Sequence, residues 1–232
     1  TLIPAYQGGN STIGTDDTAS APEAPITSEI AELAESLEWN PVKIYEYVKN
    51  NIATQFYYGV MKGAEETLAQ QSGNDADQAA LLVALFRASG YPARYVKGVV
   101  SFFPGIDQAK AHFGVDNADN IALLLQRAGI PYQPVIKAGR INNFQVEHIW
   151  VEAYVPYGNY RGALVDEHNQ RWIALDTAVK PEGYEITEPL HADIDLTTLT
   201  DDYLGQYRAE TPLAYLKTEV NTHLAGSDTP GA

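Results

Sequence analysis

The sequence predicts an α+β fold, with N-terminal helices packed on an antiparallel sheet. Three observations carry this. The most regular stretch, residues 75–89, is apolar at helical spacing and stops at Gly90, with Pro92 just beyond. Three later stretches, 93–101, 147–155 and 171–175, are rich in β-branched residues or alternate with period two. The helical patterns cluster ahead of the strands, and a turn-rich return follows, which suits an antiparallel sheet better than a wound parallel one.

The elements follow in order. Residues 1–25 are rich in Gly, Ser, Thr, Asp, Ala and Pro and read as a linker or loosely docked arm. Thr27, Ser28 and Glu29 supply caps and first-turn acid for a helix carrying Ile30, Leu33, Ala34 and Leu37. Asn40-Pro41 opens a second helix with a stripe of Ile44, Tyr45, Val48 and Ile52. Residues 55–61 are aromatic and suggest a short extended piece, and 62–71 a helix or turn leading to Gly73. Between 104 and 146 the sequence reads as an insertion: a helical pair over 112–115 and 119–128, then a strand over 135–141 that turns at Gly139. Residues 147–155 carry bulky groups on both faces, the mark of a central strand. Residues 156–170 read as a loop, the chain after Asp176 as irregular, and 213–224 as a last amphipathic helix before a Gly/Ser/Pro tail at 226–232. The predicted organisation is one domain over 26–225, with its core at 40–180 and the insertion at 104–146.

Composition narrows the function classes. The chain has 232 residues, is 45% hydrophobic and carries a net charge of −15, so a packed core is expected and a cationic nucleic-acid surface is not. Docking on anionic lipid is disfavoured for the same reason. No run approaches the roughly 20 apolar residues of a membrane span, and the polar N-terminus has no signal-peptide pattern. It opens at threonine, as a piece cut from something longer would. There is no cysteine, which removes disulfides, zinc-thiolate sites and thiol nucleophiles together. No cofactor motif is present. The acidity suits solubility outside the cell, and no EF-hand spacing supports calcium.

Three segments stand out. The first is Gly73-Asn74-Asp75-Ala76-Asp77-Gln78-Ala79, running through Leu81, Leu82 and Leu85 to Gly90-Tyr91-Pro92-Ala93-Arg94. The second is His148-Ile149-Trp150-Val151-Glu152, and the third Trp172-Ile173-Ala174-Leu175-Asp176. In this order they resemble the transglutaminase-like superfamily, whose papain-like core runs on a Cys-His-Asp triad. The resemblance covers about residues 40–180. It implies that Asp75, His148 and Asp176 hold the triad positions, with Asp75 where the family has its cysteine. It further implies that Asn74, Trp150 and Trp172 flank a substrate cleft. A narrower resemblance rests on Ile26 to Glu29, Tyr57-Tyr58-Gly59, the insertion and Thr211-Pro212-Leu213. It points to transglutaminase-like domains inside large bacterial secreted or surface proteins with Rhs/YD-type repeats, and so to an extracellular, cell-surface or periplasmic location.

Each residue also has a plainer reading. Asp75 and Gln78 have capping-box spacing. His148 suits a satisfied strand histidine, and Asp176 a residue that holds His148 or a turn. Trp150 and Trp172 suit the core, and Asp77 the hydrogen-bonding of the helix start. A thiolate is a strong nucleophile whose pKa falls at a helix N-terminus beside histidine. A carboxylate is a poor attacker of amides, and beside His148 it raises the imidazole's pKa instead. Three functions follow. One is a catalytically silent module that serves a larger polypeptide as a binding or structural domain, with a peptide or glycan segment in its cleft. Another is a hydrolase of amide or glycosidic bonds using an Asp75-His148-Asp176 cluster. The last is a divalent-metal site on the same three residues.

Overall fold

The computed structural model describes residues 12–156, 170–180 and 195–226. The chain divides into two compact units, 1–184 and 185–232, where the sequence predicts one domain over 26–225.

In the first unit the helices come early. They are α1 (Ser28–Ser36), α2 (Pro41–Asn51), α3 (Gly63–Gln70) and α4 (Asp75–Ala88). Thr27 caps α1 by accepting from the Ile30 N–H, and Asn40 caps α2, with Pro41 at its first position. Two short strands, β1 (Ala53–Thr54) and β2 (Ser72–Gly73), pair in parallel and tie the end of α2 to the start of α4. Residues 55–61 form no strand. From Ala76 to Phe86 every residue of α4 is buried. A helix that is apolar on all sides belongs inside, and α1, α2, α3 and the sheet surround it.

The main sheet has β5 (Arg140–Pro156) at its centre. β3 (Ala93–Ser101) pairs antiparallel with β5 over Gln145 to Ala153. Val146 pairs with β3 and also with β4 (Tyr132–Lys137), and Val151 pairs with β3 and also with β6 (Gln170–Leu175). A strand has two edges, so β4 and β6 both lie on the edge of β5 opposite β3. They leave that edge unpaired between residues 147 and 151. Ile149, Val151, Ala153 and Val155 point into the core with α4, and His148, Trp150, Glu152 and Tyr154 alternate to the other face.

The insertion builds a core of its own. Helices α5 (Ile106–Phe113) and α6 (Ala118–Arg127) pack Ala109, Phe113, Ile121 and Leu125 against Phe102, Phe144 and Val146. The sequence predicts the first of these helices over 112–115. It lies earlier because Gly114 sits at φ 66°, left-handed backbone that ends α5. The predicted break before residue 147 is also absent, since β5 runs through it. Of the two readings of the N-terminal arm, linker or loosely docked, the described part matches the second. Residues 12–25 are docked: Ala24 is fully buried, Arg87 donates to the Ala19 carbonyl (2.7 Å) and the Ala64 N–H donates to the Glu23 carbonyl (2.8 Å). Gly63 is crowded by that same carbonyl, at 2.9 Å from where a Cβ would lie.

In the second unit, helices α7 (Leu196–Gly205) and α8 (Pro212–Gly226) are joined by a polar cluster. Asp202 accepts from Tyr215 Oη (2.7 Å) and pairs with Arg208 (2.8 Å), whose guanidinium lies over the Tyr215 ring. The sequence predicts α8 but leaves α7 irregular. The predicted loop at 156–170 and the tail at 226–232 lie almost entirely outside the described residues.

Candidate functional site

The site begins at the N-terminus of α4. Asn74 caps this helix, its Oδ1 accepting from the Asp77 N–H (2.9 Å), while its Nδ2 donates to the carbonyls of Tyr57 (2.9 Å) and Gly59 (2.8 Å). Asp77 is fully buried. Its carboxylate accepts from the N–H groups of Met61 (3.1 Å), Lys62 (3.0 Å) and Gly63 (2.9 Å) and from the Tyr57 hydroxyl. Together Asn74 and Asp77 fasten the 57–63 loop to the helix. Gln78 donates to Thr54 Oγ1 and the Gly73 carbonyl. Asp75 and Gln78 therefore form no capping box, because Asn74 takes the capping role. Asp75 is the first helical residue, where the dipole favours a negative charge, and its side chain is free to reach the sheet.

It reaches the unpaired edge of β5. Asp75 Oδ2 accepts from the Ile149 N–H (2.8 Å), a donor that neither β4 nor β6 covers, and lies 3.2 Å from His148 Nδ1. Asp176, just beyond β6, places Oδ2 3.0 Å from His148 Nε2. Its Oδ1 accepts from the N–H groups of Ala178 (3.0 Å) and Val179 (3.4 Å), and its backbone carbonyl from the Tyr45 hydroxyl (3.1 Å). The three segments singled out in the sequence thus meet at one imidazole, with a carboxylate on each ring nitrogen.

The electrostatics follow from this geometry. Burial disfavours a charged His148, but hydrogen bonds and charge from Asp176 and Asp75 outweigh it and raise its pKa to about 9. Burial likewise acts to raise Asp176, yet the imidazolium and the two backbone donors hold it below the ordinary carboxylate value. A pKa of about 9 favours the protonated imidazole at neutral pH, held between the two carboxylates.

The flanking residues are arranged differently from one another. Trp150 stacks beside the His148 ring (6.3 Å between centroids, 22° between planes) and lines a shallow recess with Asp176. Asn74 lines the main cleft, with its amide committed to the cap. Trp172 lies elsewhere: it packs on Tyr154 (5.5 Å) under the Arg94 guanidinium (3.8 Å), and Arg94 pairs with Glu152 (2.8 Å).

A cleft of about 250 Å³ opens beside the triad. Asp75, His148 and Ile149 form one wall, and the 54–60 stretch another. Phe102, just after β3, and the insertion, through His112, Phe113 and Leu125, supply much of the rest. His112 is the residue that sequence reasoning misses. Its Nδ1 accepts from the Lys180 N–H (3.2 Å) and its ring is set among Phe56, Phe102 and Phe113, with centroids at 4.8 to 5.4 Å. Burial, helped by the charge on His148, lowers its pKa to about 4, so it is neutral. No sequence motif marks it; its aromatic neighbours at 102 and 113 are the one local signal. At the mouth, Glu147 accepts from Tyr58 Oη (2.7 Å) and pairs with Lys97 (2.7 Å).

The geometry limits the chemistry. Asp75 and Asp176 approach opposite nitrogens of one ring, so the three groups do not converge on a point where a cation could sit. Among the described residues no group of three such side chains is arranged to hold a metal ion. A glycosidase needs its two carboxyl groups facing each other across the scissile bond, and here an imidazole fills that space. A general base must be unprotonated near the working pH, and the two carboxylates raise the His148 pKa to about 9.

A family model for the transglutaminase-like superfamily matches residues 25–177, about two thirds of the chain. The chain belongs to this superfamily. Among curated proteins none matches the sequence. Two solved structures are similar to it. One is a proposed cysteine protease from Cytophaga hutchinsonii, at 18% identity and a TM-score of 0.39, covering 70% of this chain and 41% of that one. The other is the periplasmic domain of TgpA from Pseudomonas aeruginosa bound to ethylmercury, at 18% identity and a TM-score of 0.33, covering 64% and 43%. The chain therefore spans less than half the length of either. No helix among the described residues is long and apolar enough to cross a membrane.

Proposed function

We propose that this member of the transglutaminase-like superfamily is catalytically silent and serves as a binding module of a larger bacterial secreted or surface protein. In this reading Asp75 stands where the family's nucleophilic cysteine would be. The observation that carries it is the imidazole clamped at both nitrogens by Asp75 and Asp176. The carboxylate at position 75 is a weak nucleophile, and it keeps His148 protonated, so neither attack nor proton abstraction is available at neutral pH. The family's fold, an aromatic cleft and the Asp77 clamp surround this triad, which suits a site that holds a ligand without converting it. The net charge of −15 fits a location outside the cytoplasm. The lead-in Ile26 to Glu29, Tyr57-Tyr58-Gly59 and Thr211-Pro212-Leu213 support placement among domains of Rhs/YD-repeat proteins, with a peptide or glycan segment of the parent or of a target as occupant.

The test compares wild type, Asp75→Cys and Asp75→Cys/His148→Ala for incorporation of a fluorescent amine into a glutamine-rich protein, with hydrolysis measured alongside. The expected outcome is activity in Asp75→Cys alone. Turnover by wild type would overturn the reading and make Asp75 a catalytic carboxylate.

A further inference from the structure

We propose that His112, delivered by α5 of the insertion, is a ligand-binding residue of the cleft. It acts as a neutral Nε2–H donor that seats an uncharged aromatic group through the ligand's own hydrogen-bond acceptor, such as an aromatic residue and its adjoining peptide carbonyl. This rests on the reading of the cleft as a binding site and names what it binds.

The tautomer comes first. Nδ1 accepts from the Lys180 N–H (3.2 Å), so in a neutral ring the proton is on Nε2. Among the described residues no acceptor is hydrogen-bonded to Nε2, although the ring lines the cleft. With Nδ1 held by the Lys180 N–H, Nε2–H is the nitrogen left to meet a ligand; the ring lines the cleft and also a neighbouring recess that Lys180 borders. The ring cannot easily rotate, since Phe56, Phe102 and Phe113 surround it.

Size and charge select the class. A cleft of about 250 Å³ falls below the roughly 300–1,000 Å³ of sites for drug-sized ligands, which leaves room for one aromatic side chain and a carbonyl. Its walls include Phe56, Phe102, Phe113, Val146 and Ile149, which favour an apolar body. Asp75 and Glu147 both line it, with only one imidazole between Asp75 and Asp176, which disfavours a carboxylate. An ammonium group would be attracted by Asp75 but would bring N–H donors against the Nε2–H donor of His112. A neutral acceptor satisfies His112 at no such cost.

The experiment uses a matched series on the whole chain: N-methyl-3-phenylpropanamide, 3-phenylpropylammonium and 3-phenylpropanoate, followed by NMR titration of the isotope-labelled protein. The amide is expected to bind with a dissociation constant on the order of 1 mM, well inside the ligand-efficiency ceiling for its size. The two charged analogues are expected to bind at least about tenfold more weakly. The ring nitrogens of His112 are expected to report the Nε2–H tautomer, and the Nε2 signal to move on adding the amide. His112→Asn, which keeps an acceptor for Lys180 but loses the reaching donor, should lose about tenfold in amide affinity, and His112→Gln should retain most of it. The Nδ1–H tautomer, equal or tighter binding of the ammonium compound, or unchanged affinity in His112→Asn would each overturn the proposal. Absence of binding by all three compounds would overturn it too. It would leave catalytic silence standing, because amine incorporation is scored independently.

Discussion

His148 makes the most demanding prediction, because its charge decides whether the triad can be a catalyst. Its pKa is raised from an ordinary 6.5 to about 9 in the folded state. A group raised on folding contributes stability that is fully present below its unfolded pKa and lost as pH rises through its folded one. The window is therefore pH 6.5 to 9. Raising the pKa from 6.5 to about 9, at roughly 1.4 kcal/mol per tenfold change in proton affinity, corresponds to about 3 kcal/mol. Asp176, lowered by the same contact, reports the other side of one interaction and is not added to it. The assay is chemical denaturation at intervals from pH 6 to 9.5 for wild type and His148→Gln, the difference removing other titrating groups. Wild type should lose about 3 kcal/mol relative to the variant across that range, and the His148 ring signals should titrate near pH 9 by NMR. Titration at or below pH 6.5, with no pH-dependent difference between the proteins, would refute the raised imidazole pKa. The argument that His148 cannot serve as a base at neutral pH would fall with it.

Two further predictions concern what holds the site. Asp77→Ala leaves three backbone N–H groups and the Tyr57 hydroxyl without their acceptor, and at roughly 1–3 kcal/mol per unsatisfied buried group the loss should reach at least about 3 kcal/mol; urea denaturation giving less than ~1 kcal/mol would show that the 57–63 loop is held by other means. Phe86→Ala removes a fully buried ring that packs edge-on against Tyr91 (6.4 Å), and a loss of about 3–5 kcal/mol is expected by the same method.

Much of this protein is determined by local sequence. Residues 75–88 have no polar face to offer solvent, so that helix had to be central, and Gly90 with Pro92 ends it wherever the rest of the chain goes. The alternation of 147–155 with bulky groups on both faces makes that strand central. The order of the three motifs is enough to bring Asp75, His148 and Asp176 to one place, because the family's fold comes with them.

What the tertiary structure alone decided is how those groups are used. The capping of α4 by Asn74 rather than Asp75 depends on where the carbonyls of Tyr57 and Gly59 lie, and these are loop positions that no periodicity encodes. Asp75 finds the Ile149 N–H because β4 and β6 stop short on the same edge of β5, and strand register is a matter of long-range pairing. The docked arm at 12–25 is compositionally a linker. Its order comes from Arg87 and Ala64, residues far away in the chain. His112 belongs to the cleft only because α5 folds back onto the sheet. Side chains of ordinary type acquire a function when distant backbone brings them together, and that closure is settled by packing rather than by the pattern of any one segment.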